Sequence, residues 1–585
     1  MHVLATAGHV DHGKSTLVRA LTGMEPDRWA EERRRGMTID LGFAWTTTPN
    51  NETVAFVDVP GHERFVPNML AGVGPVPAAL VIVAADEGWM PQSAEHLAAL
   101  NALDVRHGLL VVTRADLADP AAATAQARAK LAGTTLSGAE SVAVSAPTGE
   151  GLDDLRAAID RLVAKLPTPQ SETPVRLWID RAFTIKGAGT VVTGTLGAGA
   201  VRVGDEFRLG DETVRVRGLQ TLGEPQTEVT AVSRVAINLR GTDKDRAARG
   251  NALLTPGLFR LTDLIDVRIH GDPAKELPAT LTLHIGSAAV PARVRPLGPD
   301  TARLRLSHPL PLRLGDRALL RDPGRRHIAG GVTVLDVAPP GLSRRGAAAA
   351  RAAELAGETG TPDLAAELRR RHLIRRDDLT TMGVPIDRAP LAGEWFADPT
   401  HWAALEERLP QVVALYKSEH PLEPGIPLEA LRHRMELPDR ALVEALVKPP
   451  LAIRSGRVTV AGQEGIPAEL QNAVDKAFAG KGPFTAPEAY DLAGHGLGAR
   501  QLAAAVRAGL LVQLAPNVVL KAGAPEHAAK ELRKLSQPFT LSEARKALDT
   551  TRRVAVPLLE FLDRKGLTAR QEDDRRIISP NADPQ

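Results

Sequence analysis

Apolar and polar positions change their period twice along the chain, after about Pro167 and again after Pro339. From Met1 to about Pro167, short β-rich runs (VLATA, VAFVDV, ALVIVAA, GLLVVT) alternate with stretches of helical period such as STLVRALTG and SAEHLAALNAL. Strands that are apolar almost throughout and alternate with helices predict a parallel sheet covered on both faces. The run PTPQSETP around Leu166 reads as a linker. From Val175 to about Leu335 the pattern is strand-like and glycine-rich, and a break near Pro256–Leu264 divides it into two small β-barrels. Beyond Pro339–Gly346 the chain turns to Ala/Leu/Arg-rich helical segments with short basic strands between them.

That tail holds a loose repeat of roughly 60 residues. FTAPEAYDLAGHGLGARQLAAAVRAGLLVQLAPNVVLKAG, from Phe484, and FTLSEARKALDTTRRVAVPLLEFLDRKGLTARQEDDRRII, from Phe539, each run helix, turn, helix and hairpin. This is the plan of a winged helix. Weaker copies precede them. The pattern predicts domains at 1–170, 171–256 and 257–340, then four winged helices at 341–403, 404–464, 465–525 and 526–585.

Composition narrows the function classes. A chain of 585 residues is too long for one core. Its 72 basic and 70 acidic groups nearly cancel, so a nucleic-acid surface must come from local clustering. With no cysteine, disulfides, thiolate zinc sites and Cys nucleophiles are excluded together. No stretch approaches 18 apolar residues and no long apolar run precedes residue 8, so the expectation is a cytoplasmic protein without a membrane span.

The chemistry is concentrated near the start. GHVDHGKST, at Gly8–Thr16, fits the phosphate-loop pattern G-x-x-x-x-G-K-[ST]. Gly8 and Gly13 let backbone N–H groups close on phosphate at a helix N-terminus. Lys14 supplies charge to the β/γ oxygens and the Ser15 hydroxyl would ligate Mg²⁺. Asp11 and Thr16 belong to the same nucleotide-binding loop. His9, Asp11 and His12 lie inside it, which argues against a separate metal cluster. RGMTID, at Arg35–Asp40, places Thr38 where a switch segment ligates Mg²⁺ and senses the γ-phosphate. DVPGH, at Asp58–His62, supplies Asp58 for the metal, the Gly61 N–H for the γ-phosphate and His62 to position the attacking water. Thr113-Arg114-Ala115-Asp116 stands where guanine-reading GTPases carry Asn-Lys-x-Asp. Asp116 can accept both N1–H and N2–H of guanine, and the Arg114 stem can stack on the base. Ser145 and Ala146 fit the loop that meets guanine O6. The fold class is therefore multidomain: an α/β P-loop GTPase domain, two β-barrel domains, then tandem α+β winged helices.

GHVDHGKST, RGMTID and DVPGH together resemble the translational GTPases related to elongation factor Tu, and FTIKGAGTVVTGTLG resembles their second domain. The Thr113 start of the guanine motif, RDPGRRHIAGGVTVLD at Arg321–Asp336 and the tail ending TTRRVAVPLLEFLDRKGLTAR are similar to the bacterial selenocysteine-specific elongation factors. The resemblance implies a GTPase using GTP and Mg²⁺, monomeric, that delivers selenocysteinyl-tRNA to the ribosome at recoded UGA codons. It implies binding of a selenoprotein mRNA hairpin by the last winged helix, with Arg552 and Arg553 at a helix start and Arg545, Arg575 and Arg576 behind them. It also matches Asp180, Arg181 and Arg234 to a pocket for the ionised selenol, where guanidiniums favour a compact anion over a neutral hydroxyl. Two alternatives stay open on the residues alone. One is a general tRNA-carrying translational GTPase with an RNA-binding extension, the other a DNA-reading regulator with a GTPase switch.

Overall fold

The computed structural model describes residues 1–26, 38, 40–62, 65–74, 76–187, 189–461 and 468–579. Arg35, Gly36, Met37 and Ile39 of the RGMTID motif lie outside the described residues. The chain divides into two compact units, Met1–Ala389 and Pro390–Gln585.

The first unit begins with a six-stranded sheet of β1 (His2–Gly8), β2 (Gly42–Thr47), β3 (Thr53–Asp58), β4 (Ala78–Ala84), β5 (His107–Thr113) and β6 (Glu140–Ala143). Their order is β2-β3-β1-β4-β5-β6. β2 runs antiparallel to β3, whereas the β1, β4, β5 and β6 pairings are parallel. Every residue of β4, AALVIVA, is buried, as expected of a strand with helices on both faces. One face packs Val57, Leu70, Leu100 and Val112, the other Leu4, Leu17, Leu80 and Ile159. The helices are α1 (Lys14–Thr22), α2 (Val66–Val73), α3 (Pro91–Ala102), α4 (Pro120–Leu131) and α5 (Leu152–Val163).

Two β-domains follow. In the first, strands Arg181–Ile185, Gly189–Leu196, Ser233–Arg240, Glu212–Thr221, Glu206–Leu209, Ala252–Leu254 and Arg176–Trp178 are neighbours in that spatial order. Strand Ser233–Arg240 shows strict alternation of buried and part-exposed residues up to its exposed end, the mark of a sheet with one face on a core. In the second, six strands from Arg260–Gly271 to His327–Asp336 close into a barrel.

Both barrels dock on the GTPase domain. Arg249 of the first donates to Asn68 Oδ1 at 2.7 Å and Pro67 O at 2.8 Å on α2. Arg321 of the second reaches Glu95 of α3 at 3.2 Å. The end of α3 lies flat on the second barrel, because a methyl group at Gly331 would overlap Ala102 O. The barrels join each other through a bidentate Arg176–Asp316 pair with two 2.6 Å bonds.

Three short helices complete the first unit: Ala347–Leu355, Leu364–Arg371 and Arg376–Met382. A buried ionic cluster holds the first two to the closed barrel. Arg351 donates to Asp266 at 2.7 Å and also binds Asp336. Arg303 chelates Asp266 at 2.6 and 2.9 Å, and Arg371 reaches Asp336 at 2.5 Å. Asp266 and Asp336 are both fully buried. Burial alone would raise the Asp336 carboxyl, yet Arg371, Arg370 and Arg351 hold it below the usual carboxylate range.

The second unit repeats one plan three times, helices followed by a two-stranded hairpin. Helices Pro399–Glu419, Leu428–Arg434 and Arg440–Leu446 precede the hairpin Leu451–Arg454/Arg457–Val460. Helices Ala468–Ala477, Ala489–Gly494 and Ala499–Arg507 precede Leu511–Ala515/Val518–Lys521. Helices Ala524–Leu532, Leu541–Ala547 and Arg552–Arg564 precede Thr568–Arg570/Arg576–Ile578. Thr540 and Glu543 form a reciprocal capping box at the start of helix Leu541–Ala547.

Candidate active site

The phosphate loop spans the turn from β1 to α1. Gly8 has φ 146° and packs against β4 so closely that a Cβ would overlap Ile82 O. Gly13 caps α1 in the left-handed region at φ 77°. Both positions need glycine. Lys14 Nζ is held inside the loop by His9 O at 2.6 Å and Gly8 O at 3.2 Å. A Cβ on Gly61 would overlap Lys14 Nζ and come within 2.7 Å of Val10 N, so the DVPGH turn lies against the loop.

Three oxygen donors from distant segments meet beside Lys14. Ser15 Oγ donates to Asp58 Oδ2 at 2.6 Å and lies 3.0 Å from Thr38 Oγ1. The Thr6 hydroxyl fixes the other carboxylate oxygen of Asp58 at 2.7 Å. Hydroxyl and carboxylate oxygens are the hard donors that suit Mg²⁺ alongside nucleotide phosphates. His62 follows Gly61, half-buried, with its ring 6.0 Å from that of Phe65.

Two side chains one turn apart on α3 also grip this loop. His96 Nδ1 accepts the Gly8 N–H at 2.9 Å, and Gln92 Oε1 accepts the Val10 N–H at 3.1 Å. Burial pushes His96 down to about 3 and His12 down to about 4, so both imidazoles are neutral near pH 7. A neutral ring is what allows His96 Nδ1 to act as acceptor. These histidines therefore add no charge to the site.

At the base-reading end, Thr113 Oγ1 donates to His12 O at 2.7 Å, tying β5 to the phosphate loop. Arg114 binds Asp86 at 2.9 Å, Glu87 at 2.7 Å and the Asp11 carbonyl. Its head is thus anchored while the stem lies along the loop. Asp116 is exposed beyond it, and Ser145 is fully buried with its Oγ accepting the Thr148 N–H at 3.3 Å.

A cavity of about 610 Å³ opens between the GTPase domain and the first barrel, lined in part by Asp40, Phe43, Trp45, Arg181, Arg234 and Lys244. Arg234 is bidentate on Asp180, with Nη2 donating to Oδ1 at 2.7 Å, and stacks over the Phe43 ring at 3.8 Å. Arg181 does not share that carboxylate. It donates to Asp40 Oδ2 at 2.8 Å and Leu41 O at 3.1 Å, across the domain boundary. The expected pair of guanidiniums flanking Asp180 is therefore one on Asp180 and one on Asp40, both facing the same cavity.

Comparison with known proteins follows this architecture. The family model described as "Elongation factor Tu GTP binding domain" matches residues 1–165. "Selenocysteine-specific elongation factor, beta-barrel domain" matches 263–341, and "Elongation factor SelB, winged helix" matches 530–577. The selenocysteine-specific elongation factor of Escherichia coli K12 is 33% identical, covering 98% of this chain and 98% of its own. The chain belongs to the selenocysteine-specific elongation factor family. The member from Desulfomicrobium baculatum is 29% identical over 98% of this chain and 99% of its own. The crystal structure of a bacterial selenocysteine-specific elongation factor, EF-Sec, superposes with a TM-score of 0.72 at 25% identity, covering 99% of this chain and all of that one. The elongation factor SelB of Methanococcus maripaludis, solved with the GTP analogue GppNHp, superposes with a TM-score of 0.52 at 27% identity over 58% of this chain and 79% of that one.

As a member of this family the chain is a translational GTPase that binds GTP. None of its described helices is long and apolar enough to cross a membrane. In the last winged helix of this selenocysteine-specific elongation factor, the basic residues separate into two groups. Arg553 is exposed but tied down, donating to Ala486 O at 3.1 Å and Pro487 O at 3.2 Å and pairing with Glu488. Arg576 is buried on Asp563 at 2.9 Å, and Arg575 lies 3.4 Å from Asp573. Arg545 and Arg552 are exposed, and their guanidiniums make no hydrogen bond or ion pair among the described residues. Arg552 stands at the first turn of helix Arg552–Arg564, where helix N–H groups point outward.

Several residues of these sites escaped the sequence reading. Gln92 and His96 carry an i, i+4 signal in PQSAEH, but nothing local says which turn they face. Asp40, Phe43, Trp45 and Lys244 join the cavity only through tertiary contact.

Proposed function

We propose that this elongation factor carries selenocysteinyl-tRNA to the ribosome at recoded UGA codons as a cytoplasmic monomer, with GTP as its timer. In this reading winged helices fill 341–403, 404–464, 465–525 and 526–585, and the last binds the selenoprotein mRNA hairpin. Within it the second starts at Pro399 and the last at Ala524, because helices Pro399–Glu419 and Ala524–Leu532 cross those bounds. The observation that carries the proposal is one juxtaposition. Thr38, which meets Ser15 Oγ at 3.0 Å, is two residues from Asp40, which holds Arg181 in the wall of the barrel cavity. A ligand in that cavity and a γ-phosphate at Thr38 would bias the same short segment.

Ser15 and Thr38 would ligate Mg²⁺ and Asp58 would reach it through water; the ion neutralises charge on the β/γ-phosphates. Gly8, Asp11, Gly13, Lys14 and Thr16 cradle the phosphates, and the Gly61 N–H senses the γ-phosphate. Thr113 holds the base loop on the phosphate loop, Arg114 stacks on guanine, Asp116 reads its N–H pair, and Ser145 and Ala146 close on O6. His62 orients the attacking water. Arg234 and Arg181 bind the selenolate, with Asp180 orienting Arg234.

Binding of selenocysteinyl-tRNA and its seryl precursor, each with GTP, tests the proposal. Wild type should favour the selenolate by roughly 10- to 100-fold, the 1.5–3 kcal/mol typical of hydrogen bonds to a charged group. Arg234→Met should remove most of that preference. Equal affinity of wild type for the two tRNAs would sink the reading. For the hairpin, Arg545→Ala with Arg552→Ala should weaken binding and lower the salt slope by about one to two units. An unchanged slope would place the RNA elsewhere.

A further inference from the structure

A second cavity, of about 680 Å³, lies where the linker after the GTPase domain, both barrels and the run leading to helix Leu364–Arg371 come together. Its charged lining is Arg176, Arg313 and Arg317 against a single carboxylate, Asp316. That carboxylate is already committed. It takes two 2.6 Å bonds from Arg176 and the Arg313 backbone N–H at 2.8 Å.

The Arg313 guanidinium makes no direct ion pair among the described residues and feels Asp316 only at a distance. Its Nη2 donates to Leu258 O at 2.5 Å and its face covers the Phe259 ring at 3.9 Å. Its Nε is shut off from solvent and has no partner among the described residues. Burial, with Arg176 nearby, pushes Arg313 down to about 10. Arg317 meets the Thr333 hydroxyl at 2.6 Å, and its acidic partner among the described residues, Asp104, lies 3.5 Å away. A buried polar group left unpaired is costly, and a charged one more so. Thr195, Thr361 and Trp178 line the same space. The volume lies within the roughly 300–1,000 Å³ of small-molecule sites.

The geometry points to a binding site for a small phosphorylated organic anion, its phosphate held by Arg313 and Arg317 with the threonine hydroxyls. One guanidinium with no direct ion pair and a second held only by a 3.5 Å pair match a phosphate better than a single carboxylate, and Arg is suited to its planar, forked recognition. The same phosphate chemistry is offered by a free metabolite and by the backbone of bound RNA. Only the RNA source rests on the proposed tRNA-carrying function.

The test uses the full chain loaded with GDP and Mg²⁺, so that the phosphate loop is filled, and AMP as probe in equilibrium dialysis. Wild type should take up one saturable equivalent of AMP. Arg313→Gln should weaken uptake at least tenfold. Thr195→Val, which leaves every charge in place, should weaken it a few-fold and guards against misfolding of the arginine variant. If added tRNA displaces AMP, or if AMP does not bind but Arg313→Gln lowers tRNA affinity at least tenfold, the phosphate comes from RNA. If AMP binds and tRNA leaves it in place, the ligand is a free metabolite. Equal AMP uptake by wild type and Arg313→Gln overturns the proposal. So does absence of uptake together with unchanged tRNA affinity.

Discussion

His62→Ala should leave GTP affinity within about twofold and lower ribosome-stimulated hydrolysis by roughly 10²–10⁴-fold, the usual contribution of a positioned proton-transfer group. The two effects separate because different atoms bind and react. Nucleotide affinity rests on the loop and Lys14, while Gly61 fixes the DVPGH turn against them through backbone approach. The His62 ring extends past that turn towards Phe65 and takes no part in the hydrogen bonds that hold Ser15, Thr38 and Asp58 together. Single-turnover hydrolysis on ribosomes, beside titration with a fluorescent GTP analogue, reads the two quantities independently. His62→Gln should recover part of the rate, since Gln orients water in other GTPases. Unchanged turnover in the Ala variant would mean the water is held by another group.

Arg351→Ala should destabilise the first unit by about 3–5 kcal/mol, the range for removing one partner of a buried ion pair. Arg351 is itself 3% exposed and bridges Asp266 and Asp336, which have no access to water. Arg303 and Arg371 still neutralise one carboxylate each, so the loss is partial rather than complete. Chemical denaturation followed in the full chain would show an early transition in the variant, with the unfolding of the winged-helix repeats little changed. A midpoint equal to wild type would mean the cluster contributes little. The cluster also gives a pH dependence. Asp336 is held below its unfolded value, so its contribution is complete above the ordinary carboxylate range and is lost as pH falls through the lower folded value.

How much of this was legible in the residues depended on the range of the interaction. Near-continuous apolar runs announced the buried parallel strands, because burial on both faces leaves no polar alternation to see. GHVDHGKST and DVPGH were legible because close approach demands glycine at Gly8 and Gly61 and a left-handed backbone demands it at Gly13. The Asn-to-Thr departure at Thr113 looked like a weakness, yet its hydroxyl still reaches the His12 carbonyl. What the residues could not show was partner choice across distance. Arg181 pairs with a carboxylate 141 positions away, not with its neighbour Asp180. Arg552 and Arg553 read alike in sequence, and only the fold brings the carbonyls of Ala486 and Pro487 within reach of the second.

The wall of the Arg234 cavity has one more consequence. Among the described residues its lining contains no methionine, and the whole chain contains no cysteine. A selenolate seated there, as proposed above, would meet guanidinium, ammonium, carboxylate, amide, hydroxyl and hydrocarbon groups, none of which can form a bond to selenium by exchange. With no cysteine anywhere in the chain, the carrier cannot be cross-linked to such a cargo by a selenenyl sulfide. For the passenger proposed here, the container offers no thiol partner.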